Sequence, residues 1–115
     1  MLEEKIEAYL VKRAKELGGV AEKFVSPGRS GVPDRIVMLP GGLLIFVECK
    51  ATGKKATPAQ QRDHERRRKL GFDVYVVDSY EAVDEVFLGE FCFAPGEKIG
   101  DDAHFVAGPR KGKLA

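Results

Sequence analysis

Asp34, Glu48 and Lys50 are the residues of this 115-residue chain best suited to act together. Glu48 and Lys50 end the run Leu43-Leu44-Ile45-Phe46-Val47-Glu48-Cys49-Lys50. In a strand, residues two apart point to the same side, so Glu48 and Lys50 share a face and Cys49 points the other way. Charged side chains at the end of an apolar strand are costly unless they are paired or hold a metal. Two carboxylates meeting at one point suit a hard cation such as Mg²⁺, which takes oxygen ligands and keeps several waters. A lysine beside them could position or help deprotonate an attacking water, or screen a developing phosphate charge. The same three residues could instead form a semi-buried Asp–Lys–Glu ion network, and spacing alone favours that reading.

The elements that must bring them together are legible in outline. A strand over about 33–39 and the strand over 43–50 flank Pro40-Gly41-Gly42, a hairpin-like turn. Pairing through that turn sets Asp34 opposite the end of the second strand. The continuous apolar run of that second strand predicts a central strand covered on both faces. Thr57-Pro58-Ala59-Gln60 starts a helix with an N-cap, a first-turn proline and a capping-box glutamine. That helix runs to about Leu70, and Gly71 ends it. Residues 73–77 form another short strand. Ser79 can cap a last helix, about 80–88, with Ala82, Val83, Val86 and Phe87 inward.

The first helix spans 2–17. Leu2, Ile6, Tyr9, Leu10, Ala14 and Leu17 recur at helical steps, broken only by Arg13, and Gly18-Gly19 stop it. At roughly 100° per residue, Glu3 falls inside the apolar arc, Glu7 at its edge, and Glu4 away from it. Glu3 then either aims at the core and needs a partner, or sits in a frayed first turn and reaches water. A short strand is expected at 22–26, followed by a loop, Ser26 to Gly31. The order α-β-β-β-α-β-α predicts an α/β fold, a sheet flanked by helices. Residues 89–115 form an extension, with Phe91-Cys92-Phe93 and His104-Phe105-Val106 as a marginal hairpin and a basic, mobile end.

Composition narrows the function. The chain has the length of one domain, with 43% hydrophobic and 32% charged residues. No run is long enough to span a bilayer and no signal peptide is apparent, which predicts no membrane partner. Two cysteines, Cys49 and Cys92, supply no metal or disulfide framework and fit reduced thiols in a cytoplasmic protein. The net charge of +1 excludes a uniformly basic DNA-coating protein. It conceals a segregation: residues 54–69 carry seven basic side chains against two acidic ones, and residues 81–102 carry seven acidic against one basic. The basic block suits a phosphate-bearing partner or is a solvated helix face.

Gly31-Val32-Pro33-Asp34-Arg35, Phe46-Val47-Glu48-Cys49-Lys50 and Thr57-Pro58-Ala59-Gln60, in that order, resemble the PD-(D/E)xK nuclease superfamily and within it the VRR-NUC family. Ser26-Pro27-Gly28-Arg29 and Leu70-Gly71-Phe72-Asp73-Val74 fit the same pattern, and the resemblance covers roughly residues 2–88. It implies a restriction-endonuclease-like core with a central mixed β-sheet. It implies Asp34 and Glu48 as metal-binding carboxylates, the Cys49 backbone carbonyl as a further ligand, Lys50 acting on the attacking water, and Gln60 at the base of the site. Capping of Thr57 is an alternative use of Gln60, and both uses can hold. A first-helix glutamate belongs to the pattern, and Glu3 fits it best.

The resemblance further implies a Mg²⁺-dependent DNA endonuclease, with Mn²⁺ able to substitute and no organic cofactor. Stand-alone relatives of this size resemble phage and prophage junction resolvases, homodimers acting on branched DNA. Arg29, Lys54, Lys55, Arg62, Arg66 and Lys69 are assigned to DNA contact. The alternative is an inactive DNA-binding or protein-interaction module on a nuclease fold. Cys49 stands where similar proteins often carry leucine. Arg67 stands where an apolar residue is expected, so it faces a partner or its helix lies at an edge of the fold. His64 and His104 are candidates, since histidine serves some nucleases as base or ligand; His64, one turn beyond Gln60, could reach the site, but such a histidine is more often exposed, and both are left outside the catalytic set.

Overall fold

Ile6, Leu10 and Ala14, each one helical turn from the next, are fully buried and fix the inner face of the first helix. The computed structural model describes residues 1–91. Its elements are α1 (Glu3–Glu16), β1 (Val20–Lys23), β2 (Arg35–Leu39), β3 (Leu43–Cys49), α2 (Pro58–Lys69), β4 (Asp73–Val77) and α3 (Tyr80–Phe91). The sheet order is β1-β2-β3-β4, with β1–β2 and β2–β3 antiparallel and β3–β4 parallel. This is the expected mixed α/β sheet. The parallel pair requires a crossover, which α2 supplies.

β1 begins two residues earlier than the sequence suggests. The backbone N–H of Gly18 donates to Lys15 and that of Gly19 to Ala14, so α1 closes tightly. A side chain at Gly19 would come within 2.2 Å of both Leu39 Cδ2 and Met38 O. Glycine there lets the chain enter the sheet at Val20, which pairs with Met38.

The two faces of β3 have different chemistry. Leu43, Ile45, Val47 and Cys49 join Ile6, Leu10, Ala14, Leu17, Val83, Val86 and Phe87 in one apolar core under α1 and α3. Arg13 is buried at the edge of that core. It reaches Glu16 at 2.6 Å and Asp84 at 3.3 Å. The Tyr9 hydroxyl donates to both Asp84 oxygens, at 2.8 and 2.9 Å, and its ring stacks on Tyr80. The residue that interrupts the apolar pattern of α1 therefore helps tie α1 to α3. Burial, then the Asp84 carboxylate, pushes the Tyr9 hydroxyl up to about 12.

Phe46 and Glu48 lie on the other face, under α2. The Arg67 guanidinium sits 4.9 Å from the ring centres of both Phe24 and Phe46. Phe46 in turn meets Phe72 edge-on. Arg67 therefore packs inward on its own chain, and the expectation that it faces a partner is overturned. Its cation is accommodated by aromatic faces and by Asp63, whose Oδ2 accepts from Nε at 2.8 Å.

α3 continues to Phe91, because Gly89 does not end it. Phe91 thus belongs to a helix and not to the expected hairpin. The remainder of that hairpin, His104 and the basic end lie outside the described residues. Among the described residues, no helix is long and apolar enough to cross a membrane.

Candidate active site

The hairpin register pairs Arg35 with Val47. One step further, the Asp34 carboxylate accepts the backbone N–H of Cys49 at 2.9 Å, while its carbonyl accepts Phe24 N–H. Because the N–H and C=O of one strand residue point toward the same neighbour, the Cys49 carbonyl opens toward Asp34 as well. On the opposite side, Lys50 N–H donates to Val77 O. Asp34, Glu48 and Lys50 therefore gather at one end of the sheet, as the spacing predicts.

Glu48 is 2% exposed. Its Oε2 accepts from Gln60 Nε2 at 3.1 Å and lies 3.6 Å from Lys50 Nζ. Its Oε1 has no hydrogen-bond partner. Burial, then the neighbouring Asp34 charge, pushes the Glu48 carboxyl up to about 7, against the pull of Lys50. Gln60 bonds to both the helix cap and Glu48. Its Oε1 accepts Thr57 N–H at 2.8 Å and its backbone N–H donates to Thr57 Oγ1 at 3.2 Å, which completes the capping box. With the amide oxygen held by the cap, Nε2 is turned toward Glu48.

His64, expected to be exposed, is instead buried beside Glu48. It is 1% exposed, with Nε2 4.0 Å from Glu48 Oε1. Burial, then the Arg68 charge, holds the imidazole below its usual range and favours the neutral form. The signal was its position four residues after Gln60, on the same helical face.

Glu3 does not aim at the core: it is exposed in the first turn of α1. Of its two expected placements the exposed first turn is therefore the one that holds, and just before it Met1 O accepts Thr52 N–H. Glu7 is half-buried and holds Arg35 Nε at 2.7 Å. The Cys49 thiol is buried, and burial together with Asp34, Glu7, Glu48 and Glu3 pushes its pKa far up. It is therefore held as a thiol, not a thiolate.

Among the described residues no three His, Cys, Asp or Glu side chains form a group able to hold a metal. The donor set is two carboxylates and a carbonyl. It fits Mg²⁺, which keeps several waters, and the unpartnered Glu48 Oε1 is a carboxylate oxygen still available as a donor.

Of the assigned DNA-contacting residues, Arg29, Arg62 and Arg66 line one cleft between the 28–31 loop and α2. Arg62, Arg66 and Lys69 continue along the outer face of α2. Lys54 and Lys55 are exposed in the loop between β3 and α2 and line neither groove.

No family model matches the chain. A protein of Acyrthosiphon pisum secondary endosymbiont phage 1, named "Putative nuclease p44", is 57% identical over 79 residues, which are 69% of this chain and 85% of the phage protein. A solved structure titled "VRR_NUC domain" superposes with a TM-score of 0.71 at 43% identity, over 74% of this chain and 92% of that one. A second, "VRR_NUC domain protein", shares the fold with a TM-score of 0.57 at 21% identity, over 77% and 87% of the two chains. With the motif residues gathered at one sheet end and relatives this similar, the chain belongs to the VRR-NUC family of nucleases.

Proposed function

We propose that the protein is a metal-dependent endonuclease that hydrolyses DNA phosphodiesters at the Asp34–Glu48–Lys50 end of the sheet. The observation that carries this reading is Glu48: a buried carboxylate beside a second carboxylate, held on one oxygen by Gln60 and unpartnered on the other. A structural ion pair would satisfy both oxygens.

Asp34, Glu48 and the Cys49 carbonyl would hold Mg²⁺, or Mn²⁺ in its place. When bound, the cation supplies charge neutralisation and polarisation at the phosphate. Lys50 orients the attacking water and screens the charge that grows on the phosphoryl oxygens. The attacking water gives up a proton to solvent as its oxygen bonds to phosphorus, the bond to the leaving nucleoside oxygen breaks, and that oxygen takes up a proton from solvent. Gln60 keeps Glu48 in place.

The finer reading is a junction-cutting homodimer. Its support is the likeness to stand-alone relatives and the need for two sites about a two-fold axis to cut a junction symmetrically. Arg67 lends it no support, since its guanidinium is satisfied within the chain. Labelled four-way junctions, flaps, duplexes and single strands, each with Mg²⁺ and with EDTA, test both levels. Cleavage with Mg²⁺, strongest on the junction and lost in EDTA, is expected. Cleavage that persists in EDTA removes the metal, and equal rates on all substrates remove the junction preference.

A further inference from the structure

Three guanidinium groups converge on one buried carboxylate. Asp63 is 4% exposed. Its Oδ1 accepts from Arg29 Nε at 3.1 Å and Arg66 Nη2 at 3.4 Å, and its Oδ2 accepts from Arg67 Nε at 2.8 Å. Burial alone would raise its pKa, but hydrogen bonds from Arg67 and Arg29 outweigh that and hold it below the usual carboxylate range. The cluster is thus one anion amid three cations.

The arginines divide by exposure. Arg67 is 12% exposed and stacked on aromatic rings, so it is part of the packing. Arg29 and Arg66 are 48% and 42% exposed, and each is anchored to Asp63 through one nitrogen. A guanidinium has five N–H donors in a rigid fork, so most of each fork remains for a ligand. With Arg62, Gly28 and Ser30 they line a cleft of about 520 Å³. Its loop wall is pressed on α2: Gly31 has φ +81°, and a Cβ there would lie 2.8 Å from Ala59 O. Asp63 follows Gln60 by three residues, so the cleft lies one helical turn along α2 from the group that holds Glu48.

We propose that this cleft is a phosphate subsite for the nucleic acid strand, and that Asp63 is a positioning residue that aims Arg29 and Arg66 at the phosphate oxygens. The proposal rests on the nuclease reading and extends it. The ligand is a phosphate, either a backbone phosphodiester flanking the cleaved bond or a terminal phosphomonoester. Fixed forks bind phosphate oxygens in pairs and lose little freedom on binding.

The test exploits the sign of the Asp63 charge. On net charge alone, Asp63→Asn should tighten binding to a polyanion. A positioning role predicts the reverse. Anisotropy with labelled oligonucleotides in EDTA, with and without terminal phosphate, reads affinity without cleavage. Asp63→Asn is expected to bind several-fold more weakly than wild type. Arg29→Gln/Arg66→Gln, two changes at half-exposed positions, should bind about tenfold more weakly with a salt slope shallower by about two. If only phosphorylated ends lose affinity, the ligand is terminal; if all oligonucleotides lose it equally, the ligand is the backbone. Tighter binding by a folded Asp63→Asn overturns the positioning role. Wild-type affinity and salt slope in the double variant overturn the subsite, and this variant decides the matter should Asp63→Asn fail to fold. A wild type that binds no nucleic acid removes the nuclease reading and the subsite together, whereas a wild type that binds while the double variant matches it removes the subsite alone.

Discussion

His64 Nε2 lies 4.0 Å from Glu48 Oε1, and neither atom has a hydrogen-bond partner. A neutral imidazole and a carboxylate oxygen face each other in a buried space with Gln60 on the other oxygen. The imidazole limits where the Glu48 carboxylate can go. His64→Ala is expected to lower cleavage about tenfold, roughly 1.4 kcal/mol of barrier, and His64→Gln to recover part of it by keeping a polar group at similar reach. Single-turnover rates at saturating Mg²⁺ for folded variants provide the check. Wild-type rates in His64→Ala would make the imidazole mere filling.

The Gln60 amide divides its two ends between the helix cap and the site. Gln60→Glu keeps an oxygen for Thr57 N–H but loses the donor to Glu48 and adds a negative charge beside it. It should fold normally and cut at least tenfold more slowly. Thr57→Ala has the opposite signature: about 1 kcal/mol of stability lost with the cap, and activity largely kept below the melting range. Melting curves paired with cleavage rates separate the two.

Glu48 makes the metal-free protein pH-sensitive. Its folded pKa, raised to about 7 first by burial, exceeds the ordinary 4.5. The folded state therefore holds a proton that the unfolded chain releases. This contribution to stability is complete below pH about 4.5, declines as pH rises, and is gone above about 7. Metal binding needs the ionised form, so Mg²⁺ should stabilise the protein more at roughly pH 8 than at roughly pH 6. Melting temperatures with Mg²⁺ or EDTA at both values check this. In Glu48→Gln, the difference between the two pH values should shrink markedly.

The face of the sheet away from the site carries a separable prediction. Asp84→Asn removes a carboxylate from buried Arg13 and from Tyr9. A loss of roughly 2 kcal/mol is expected, with cleavage rates unchanged at temperatures where the variant is folded. Denaturant titration gives the first number and the cleavage assay the second.

What the sequence made legible follows from the strength of local signals. The apolar run of β3, the Pro40-Gly41-Gly42 turn and the Thr57–Gln60 cap are complete within a few residues, and they set Asp34, Glu48, Lys50 and Gln60 in place. Arg67 and His64 were misread because polar residues on a helix are ordinarily solvated. Here Phe24, Phe46 and Asp63 make an inward arginine tolerable; Asp63 is one helical turn away on α2, but the two rings come from just after β1 and from β3, distant in sequence. For Glu3 the helical wheel left two readings open, and the exposed first-turn reading is the one that holds. The start of β1 depended on how closely Gly19 passes Leu39, which no local pattern displays.

Phosphodiester hydrolysis is proposed to take place at the Asp34–Glu48 pair. Its most direct measurement is the cleavage rate of one labelled four-way junction by wild type and by folded Asp34→Asn, Glu48→Gln and Lys50→Ala, all in Mg²⁺. Wild type is expected to cleave, and each variant to lose about a thousandfold or more, since each removes a metal ligand or the group that orients water. A folded Glu48→Gln that cuts at near the wild-type rate would contradict it.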